Sequence, residues 1–407
     1  MSLEVPEGYR PLTVEGVPEY VRARPDLSAL AGGGPLTVRE VGDGNLNLVF
    51  IVRSDPAVPG VVLKQSLPWV RVFGEGWPLT IERARHEADA YAVHSAFSGS
   101  ATPRYHGFDP VRYVIAMEDL ADLRVWRGAL NDGEIHAEAA ETLGKYVARI
   151  AFHTSDLGMD PEERKRLVAR TVNPELCRIT EDLVLTEPIR VHEHNRYDPA
   201  LEPVVAALRA DTLAVDGLSV LKHRFMTHGE ALIHGDLHTG SVMVGGGRTV
   251  AIDPEFAFYG PVGFDLGATW ANAIIATVRG VLLDRPEGFM AHVEGIVPTS
   301  WDAFLGELRG LWPARVDPSF TDGMRGPWER AIWDDALGFA GAKAMRRMVG
   351  FAHVTDIETL EPPLRLRASR VVLSVARRLL VERGSIGTPD DLARVVRAAI
   401  EDTGRTA

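Results

Sequence analysis

Apolar residues change their period along this chain, and the change divides it. From Leu36 to Met117 they fall in short β-type runs: Leu36–Val41 alternates, Leu48–Val52 and Val61–Leu63 are rich in β-branched residues, and Tyr113–Met117 is continuous. One stretch of helical spacing interrupts them, Ile81–Ser95. Past about Asp122 the helical period takes over. Ile135–Ser155, Glu162–Val172, Leu201–Met226, Ala268–Leu283 and Trp328–Val349 all read as helices, with a Pro- and Gly-rich break at Leu311–Gly326. The tail from Pro389 is an amphipathic helix that packs on the fold or on a second copy. Residues up to about Gly34 read as a short helical or irregular leader anchored by Tyr9, Tyr20 and Val21. Thr186–Asp198, rich in Pro, His, Asn and Arg, reads as a connector.

One β-type segment stands inside the helical part, from Leu232 to Asp265. Val242–Val244 and Val250–Ile252 are short strands, and Gly245-Gly246-Gly247 joins them as a hairpin. Asp236 precedes the first strand; Asp253 and Glu255 follow the second. Three carboxylates brought to one edge of a hairpin repel one another unless a cation sits among them. Mg²⁺ with a polyphosphate suits that arrangement.

The early strands carry two more candidates. Gly42-Asp43-Gly44-Asn45-Leu46-Asn47 separates two strands, and is either a plain hairpin or a backbone cradle for phosphates. Lys64 closes the apolar run Val61-Val62-Leu63, where a charge needs a reason to be. It is either an edge gatekeeper or a phosphate-binding lysine; the second role requires an acid on the next helix. Glu82 and Glu87 are both placed to supply it.

Composition narrows the classes. The chain has 407 residues, 45% of them apolar and 25% charged, enough for one large bilobal unit or two medium domains. A net charge of −12 argues against nucleic acid or an anionic membrane as partner, though not against ATP. The single cysteine, Cys177, excludes an intrachain disulfide; it reads as a small buried hydrophobe, and a cytoplasmic location is expected. The N-terminal MSLEVPEGYRP has no basic and no apolar region of a signal peptide. Ala268–Leu283, the most apolar stretch, contains Asn272 and Arg279 and is too short to span a bilayer.

His234-Gly235-Asp236-Leu237-His238 followed by Asp253 resembles the catalytic and metal loops of protein-kinase-like phosphotransferases. The longer strings HGDLHTGSVMV and DPEFAFYGPVGFD resemble the S-methyl-5-thioribose kinase family more closely, in which Asp-x-Glu stands where protein kinases carry Asp-Phe-Gly. The resemblance spans Gly42 to Arg347. It implies an α+β, bilobal protein-kinase-like fold: a small β-rich N-lobe over residues 1–117, a hinge at 118–121, and a large, mainly helical C-lobe over 122–407.

The resemblance also implies roles. ATP and Mg²⁺ are the expected cofactors, with Gly44, Asn45, Asn47 and Lys64 at the phosphates and Glu87 as the lysine's partner. Glu118, Asp119 and Leu120 border adenine, mainly through backbone groups. Asp253, Pro254 and Glu255 form the metal loop, with Asp253 and Glu255 as the ligands. Asp236 is the catalytic residue facing the acceptor; Trp77, Arg346 and Arg347 join it at the sugar, and Asp265 braces the catalytic loop. The implied reaction phosphorylates the anomeric hydroxyl of S-methyl-5-thioribose to the 1-phosphate in methionine salvage, in a homodimer. Ser241 departs from the wider fold, where most relatives place a metal-binding Asn, and this shifts metal duty toward Glu255.

Other readings compete. An aminoglycoside, other small-molecule or related sugar phosphotransferase shares the fold and the HGDLH loop, but usually has Asn at the position of Ser241. It also needs neither Glu255 nor the arginine pair. A non-catalytic, nucleotide-binding pseudokinase conflicts with the presence of Lys64, Asp236 and Asp253. A metallophosphoesterase needs an upstream Asp-x-His and a downstream Gly-Asn-His, which the chain lacks, so His238 reads as a loop brace. His192 and His194 have i,i+2 spacing that can suit a metal, but with no partner acid or Cys pair assigned to them they read as non-ligands.

Overall fold

The computed structural model describes residues 6–32, 34–42, 46–55, 57–71, 74–76 and 78–405. Gly44, Asn45 and Trp77, expected at the phosphates and the sugar, lie outside the described residues.

Helices α1 (Val17–Arg22) and α2 (Pro25–Ala31) lead into strands β1 (Thr37–Glu40), β2 (Asn47–Arg53) and β3 (Val61–Ser66). Helix α3 (Arg83–His94) follows, then β4 (Tyr105–Asp109) and β5 (Val114–Glu118). The five strands form one sheet in the order β1-β2-β3-β5-β4, with every pairing antiparallel. Alternation of side chains gives the sheet two apolar faces. Phe50, Leu63, Val114 and Ala116 pack on Val17, Val21 and Leu27 of the leader helices. Val62, Ile115 and Met117 pack on Ile81, Ala84, Ala88 and Tyr91 of the α3 region. Lys64, two residues on from Val62, therefore shares the α3 face.

The remainder is mainly helical: α4 (Trp126–Asp132), α5 (Glu138–His153), α6 (Pro161–Arg170), α7 (Pro174–Leu183), α8 (Glu202–Ala210), α9 (Thr212–Thr227) and α10 (Gly263–Leu282). Helices α11 (Glu287–Leu311), α12 (Asp322–Val349), α13 (Thr355–Glu358), α14 (Pro362–Glu382) and α15 (Pro389–Arg405) complete it. Five short strands lie among them: β6 (Arg124–Val125), β7 (Ala231–Ile233), β8 (Val242–Gly245), β9 (Arg248–Ala251) and β10 (Phe258–Gly260). β6-β8-β9 make one sheet, and β7 pairs with β10. Gly246 and Gly247, which join β8 to β9, both have positive φ (55° and 72°), which is why that turn is glycine.

Helix α10 is buried along nearly its whole length and packs on α12 at close range. A Cβ on Gly263 would come within 2.6 Å of Asp335, and one on Gly267 within 2.7 Å of the Ala336 carbonyl, so glycine is what permits this approach. Trp270, Trp301 and Trp333 fill the space beside it. The packing matters for the site because it brings the Lys343 side chain of α12 over Phe264 at the start of α10.

Three expectations needed revision. The helical run Leu201–Met226 is two helices, because Asp211 takes an extended backbone and caps α9 by accepting from the Leu213 and Ala214 N–H groups. The expected break at Leu311–Gly326 is shorter: α11 runs to Leu311 and α12 begins at Asp322, continuing through Pro327. Strand β4 was not anticipated, since Tyr105–Asp109 contains Gly107 at a shift in register and has no alternating pattern. Among the described residues, no helix is long and apolar enough to cross a membrane.

Candidate active site

β7 delivers His234, Gly235 and Asp236 to the edge of the helical part. Gly235 has φ +81°, and a Cβ there would lie 2.1 Å from the Phe256 carbonyl oxygen, so only glycine fits the crossing of these two loops. Asp265, in the first turn of α10, accepts from the backbone N–H of His234 (2.7 Å) and of Gly235 (2.9 Å). His234 Nε2 donates to the Ile252 carbonyl at 2.9 Å. One aspartate and one histidine thus fix the Asp236 loop against the segment that carries Asp253.

Asp236 is surrounded by cations from α12. Lys343 Nζ donates to its Oδ1 at 2.7 Å and sits 4.5 Å from the centre of the Phe264 ring. Burial alone would raise the Asp236 pKa. Lys343, then His238 and Arg347, outweigh burial and hold the carboxyl well below the usual range. His238 Nε2 faces Asp236 Oδ2 at 3.4 Å, while His238 Nδ1 accepts from the Gly240 N–H at 3.0 Å. Burial keeps the His238 pKa well below its ordinary value, so this ring is neutral with its proton on Nε2. Arg347 is buried and donates to the Ala352 carbonyl at 3.2 Å. Arg346 also feels the Asp236 charge, and its buried Nε has no hydrogen-bond partner.

A second charged group faces the sheet. Lys64 Nζ lies 2.8 Å from Glu87 Oε1 and 2.9 Å from Asp253 Oδ1. Burial would lower the lysine, yet Asp253, Glu87 and Glu255 together raise it well above its usual range. Burial pushes Glu87 up to about 8, against the pull of Lys64 and with the repulsion of Asp253 and Glu255. Glu82, the other acid considered for this role, instead pairs with Arg85 at 2.8 Å on the outer side of α3. Asp253 adopts a left-handed backbone (φ 62°) just before Pro254, and its N–H donates to the Tyr91 hydroxyl at 2.9 Å. Pro254 opens a single 3₁₀ turn that brings Glu255 inward.

Glu255 is buried, and its Oε2 accepts from Asn47 Nδ2 at 3.0 Å, with Arg83 Nε at 3.7 Å. Asn47 Oδ1 in turn accepts from Ser66 and from Arg83. The Asn47 side chain is therefore committed to a bridge between β2 and the Glu255 loop. Arg83 is fully buried and also donates to the carbonyls of Leu46, Leu67 and Thr80. Ser241 Oγ turns toward His238 Nδ1 at 3.3 Å, and its carbonyl accepts from the Ile252 N–H.

At the end of β5, side chains are committed to structure. Glu118 pairs with Arg248 at 3.0 Å and accepts from the Arg104 N–H. Asp119 pairs with Arg53 and accepts from the Gly60 and Ala121 N–H groups. Leu120 is buried.

Sequence reasoning missed four residues here. Lys343, Arg83 and Tyr91 touch the acids described above. The fourth is Glu187, only five residues before His192 and overlooked in the sequence: its Oε2 lies 3.0 Å from His194 Nδ1 and 3.5 Å from His192 Nδ1. His192 Nδ1 already accepts from the His194 N–H at 3.2 Å, so these groups form a hydrogen-bonded turn. For Lys343 a signal existed. Positions 343, 346 and 347 share one helical face, so whatever brings the arginines to a site brings the lysine too. Cys177 is partly buried, and burial pushes its thiol up to about 12, which makes it inert.

A family model described as the phosphotransferase enzyme family (APH) matches residues 37–289, from β1 into α11. The chain is 40% identical over 391 residues to the methylthioribose kinase of Geobacillus kaustophilus, covering 95% of this chain and 96% of that one. It is 39% identical over 396 residues to the methylthioribose kinase of Cronobacter sakazakii, covering 96% and 98%. Against that of Pectobacterium atrosepticum it is 40% identical over 398 residues, again covering 96% and 98%. Among solved structures, a glucosamine kinase in complex with glucosamine, ADP and inorganic phosphate aligns over 84% of this chain and 90% of that one, with a TM-score of 0.45 and 15% identity.

Proposed function

This chain belongs to the methylthioribose kinase family of phosphotransferases, and from that premise we propose that it transfers the γ-phosphoryl group of ATP to the anomeric hydroxyl of S-methyl-5-thioribose. The product is the sugar 1-phosphate, and the step serves methionine salvage. The carrying observation is two charged groups on loops that His234 ties together: Lys64 with Glu87, Asp253 and Glu255, and Asp236 with Lys343, Arg346 and Arg347.

The first group suits the nucleotide. Lys64 orients the phosphates. The backbone at Glu118–Leu120 meets adenine, since the side chains of Glu118 and Asp119 are already engaged. Asp253 and Glu255 offer hard carboxylate oxygens beside an excess of negative charge, and so fit Mg²⁺. When bound, that ion neutralises polyphosphate charge.

The second group suits the acceptor. Asp236 accepts the proton of the anomeric hydroxyl as the new O–P bond forms and the bond from the γ-phosphorus to ADP breaks, the electron pair leaving with ADP. Arg346 and Arg347 offer directional hydrogen bonds to the sugar and charge for the phosphoryl group in flight. We place the enzyme in the cytoplasm as a homodimer, a state that light scattering of the purified protein tests.

The testing experiment is an ATP-consumption screen across methylthioribose, ribose, choline, homoserine and an aminoglycoside. Methylthioribose giving the highest kcat/KM supports the assignment. Preferential turnover of the aminoglycoside would favour the broader phosphotransferase family instead.

A further inference from the structure

Lys343 is a buried ammonium in direct contact with the carboxylate that faces the acceptor, and no step described so far uses it. We infer that Lys343 is the positioning residue of Asp236, binding Oδ1 so that Oδ2 alone is presented to the acceptor hydroxyl. The inference rests on the kinase reading for the identity of the acceptor, but its geometry is independent of which sugar binds.

Three observations carry it. Lys343 is pinned from two sides, by Asp236 Oδ1 at 2.7 Å and by the face of Phe264 at 4.5 Å, so its ammonium is not a freely roaming charge. Oδ2 has only the long 3.4 Å approach of a neutral His238, which leaves that oxygen available. The remaining charges near Asp236 cannot substitute for the contact. Arg347 is engaged with the Ala352 carbonyl, and Arg127 of α4 with Asp356 at 3.2 Å and Asn272 at 3.1 Å. Arg346 acts on Asp236 only at longer range.

The arrangement has a chemical consequence. A carboxylate stabilised by an ammonium is a weak base, so it cannot strip the hydroxyl proton before the O–P bond has begun to form. Proton transfer is then late. That fits a loose phosphoryl transition state, in which nucleophile deprotonation contributes little early on. The anomeric hydroxyl, acidified by the ring oxygen, is a suitable acceptor for so weak a base.

The test compares Lys343→Met, which keeps length and removes charge, with Lys343→Arg, which keeps charge. In the Met variant, kcat/KM for the sugar falls by about tenfold or more at neutral pH, and the acid limb of its pH profile moves up by about one unit or more. The Arg variant restores the limb toward that of the wild type, and both variants bind Mg·ATP within about twofold of it. An acid limb that stays in place while the Met variant loses rate by the same factor at every pH overturns the inference.

A sugar-free measurement separates this from failure of the kinase reading. The ¹³C carboxyl signal of Asp236, identified by its loss in Asp236→Asn, remains that of the ionised form in acid solution in the wild type and titrates in the ordinary carboxylate range in Lys343→Met. Equal titration in the two proteins overturns the inference even if methylthioribose is the wrong substrate. An inactive wild type with the expected titration overturns only the substrate.

Discussion

Lys64 and Asp253 meet at 2.9 Å although 189 residues separate them in sequence. The contact joins the sheet to the hairpin, and Glu87 holds the same ammonium from the other side. An ammonium shared among acids is ready to move onto a polyanion when one arrives.

Replacing Lys64 with Met should therefore weaken Mg·ATP binding by about ten- to a hundredfold, the value of a charge-assisted hydrogen bond to phosphate. The fold should survive, because Glu87, already pushed up to about 8, can protonate once its partner is gone. Isothermal titration with a non-hydrolysable ATP analogue, alongside circular dichroism, checks both halves.

Asp253→Asn and Glu255→Gln should each raise the Mg²⁺ concentration for half-maximal activity by about tenfold or more, since a hard cation loses a charged oxygen in either case. Glu255→Gln should cost stability as well, because the bridge from Asn47 and the nearby Arg83 lose their anion. Asp253→Asn should cost less stability, because that side chain is 45% exposed and Lys64 keeps its contact with Glu87.

Much of this arrangement is legible in the chain. His234-Gly235-Asp236, Asp253-Pro254-Glu255 and the glycine turn are contiguous strings, and Lys64 and Glu87 sit at recognisable places on a strand and a helix. What escaped is what the tertiary fold assembles. Lys343 reaches Asp236 across 107 positions, and Asn47 reaches Glu255 across 208. Arg83 reads as an ordinary polar position at the start of a helix, and nothing local marks it as fully buried. Local patterns encode elements; they do not encode which charged side chain ends up beside which.

His94 gives the protein an acid-sensitive core contact. It is fully buried, with Nε2 donating to the Leu232 carbonyl and Nδ1 accepting from the Tyr146 hydroxyl, both at 2.8 Å. Burial lowers its pKa from 6.5 to about 3. The neutral ring contributes stability that is fully present above the unfolded value and is lost as pH falls from there toward about 3. At about pH 5 the loss should be about 2 kcal/mol relative to neutral solution. Denaturant unfolding of the wild type and His94→Gln at the two pH values checks this, because the Gln variant should lack that share of the acid dependence.

Arg346→Ala and Arg347→Ala should separate a neutral sugar from a polycation as acceptor. Loss of a guanidinium should raise the KM for methylthioribose and lower turnover by about tenfold in at least one variant, with ATP binding intact. A polycationic aminoglycoside would be repelled by the same groups, so either substitution should leave its turnover unchanged or improve it. Steady-state kinetics with both acceptors provides the comparison.

The central claim is that Asp236 directs a phosphoryl group to the anomeric oxygen of methylthioribose. Phosphorus NMR of the protein incubated with Mg·ATP and methylthioribose tests it most directly. The account predicts a sugar 1-phosphate, identified by its coupling to the anomeric proton, appearing in step with ADP. It also predicts a rate lower by about 10²–10⁴ in Asp236→Asn, as expected for loss of a general base. Phosphate ester at another hydroxyl, ADP accompanied only by free phosphate, or an undiminished rate in Asp236→Asn would contradict it.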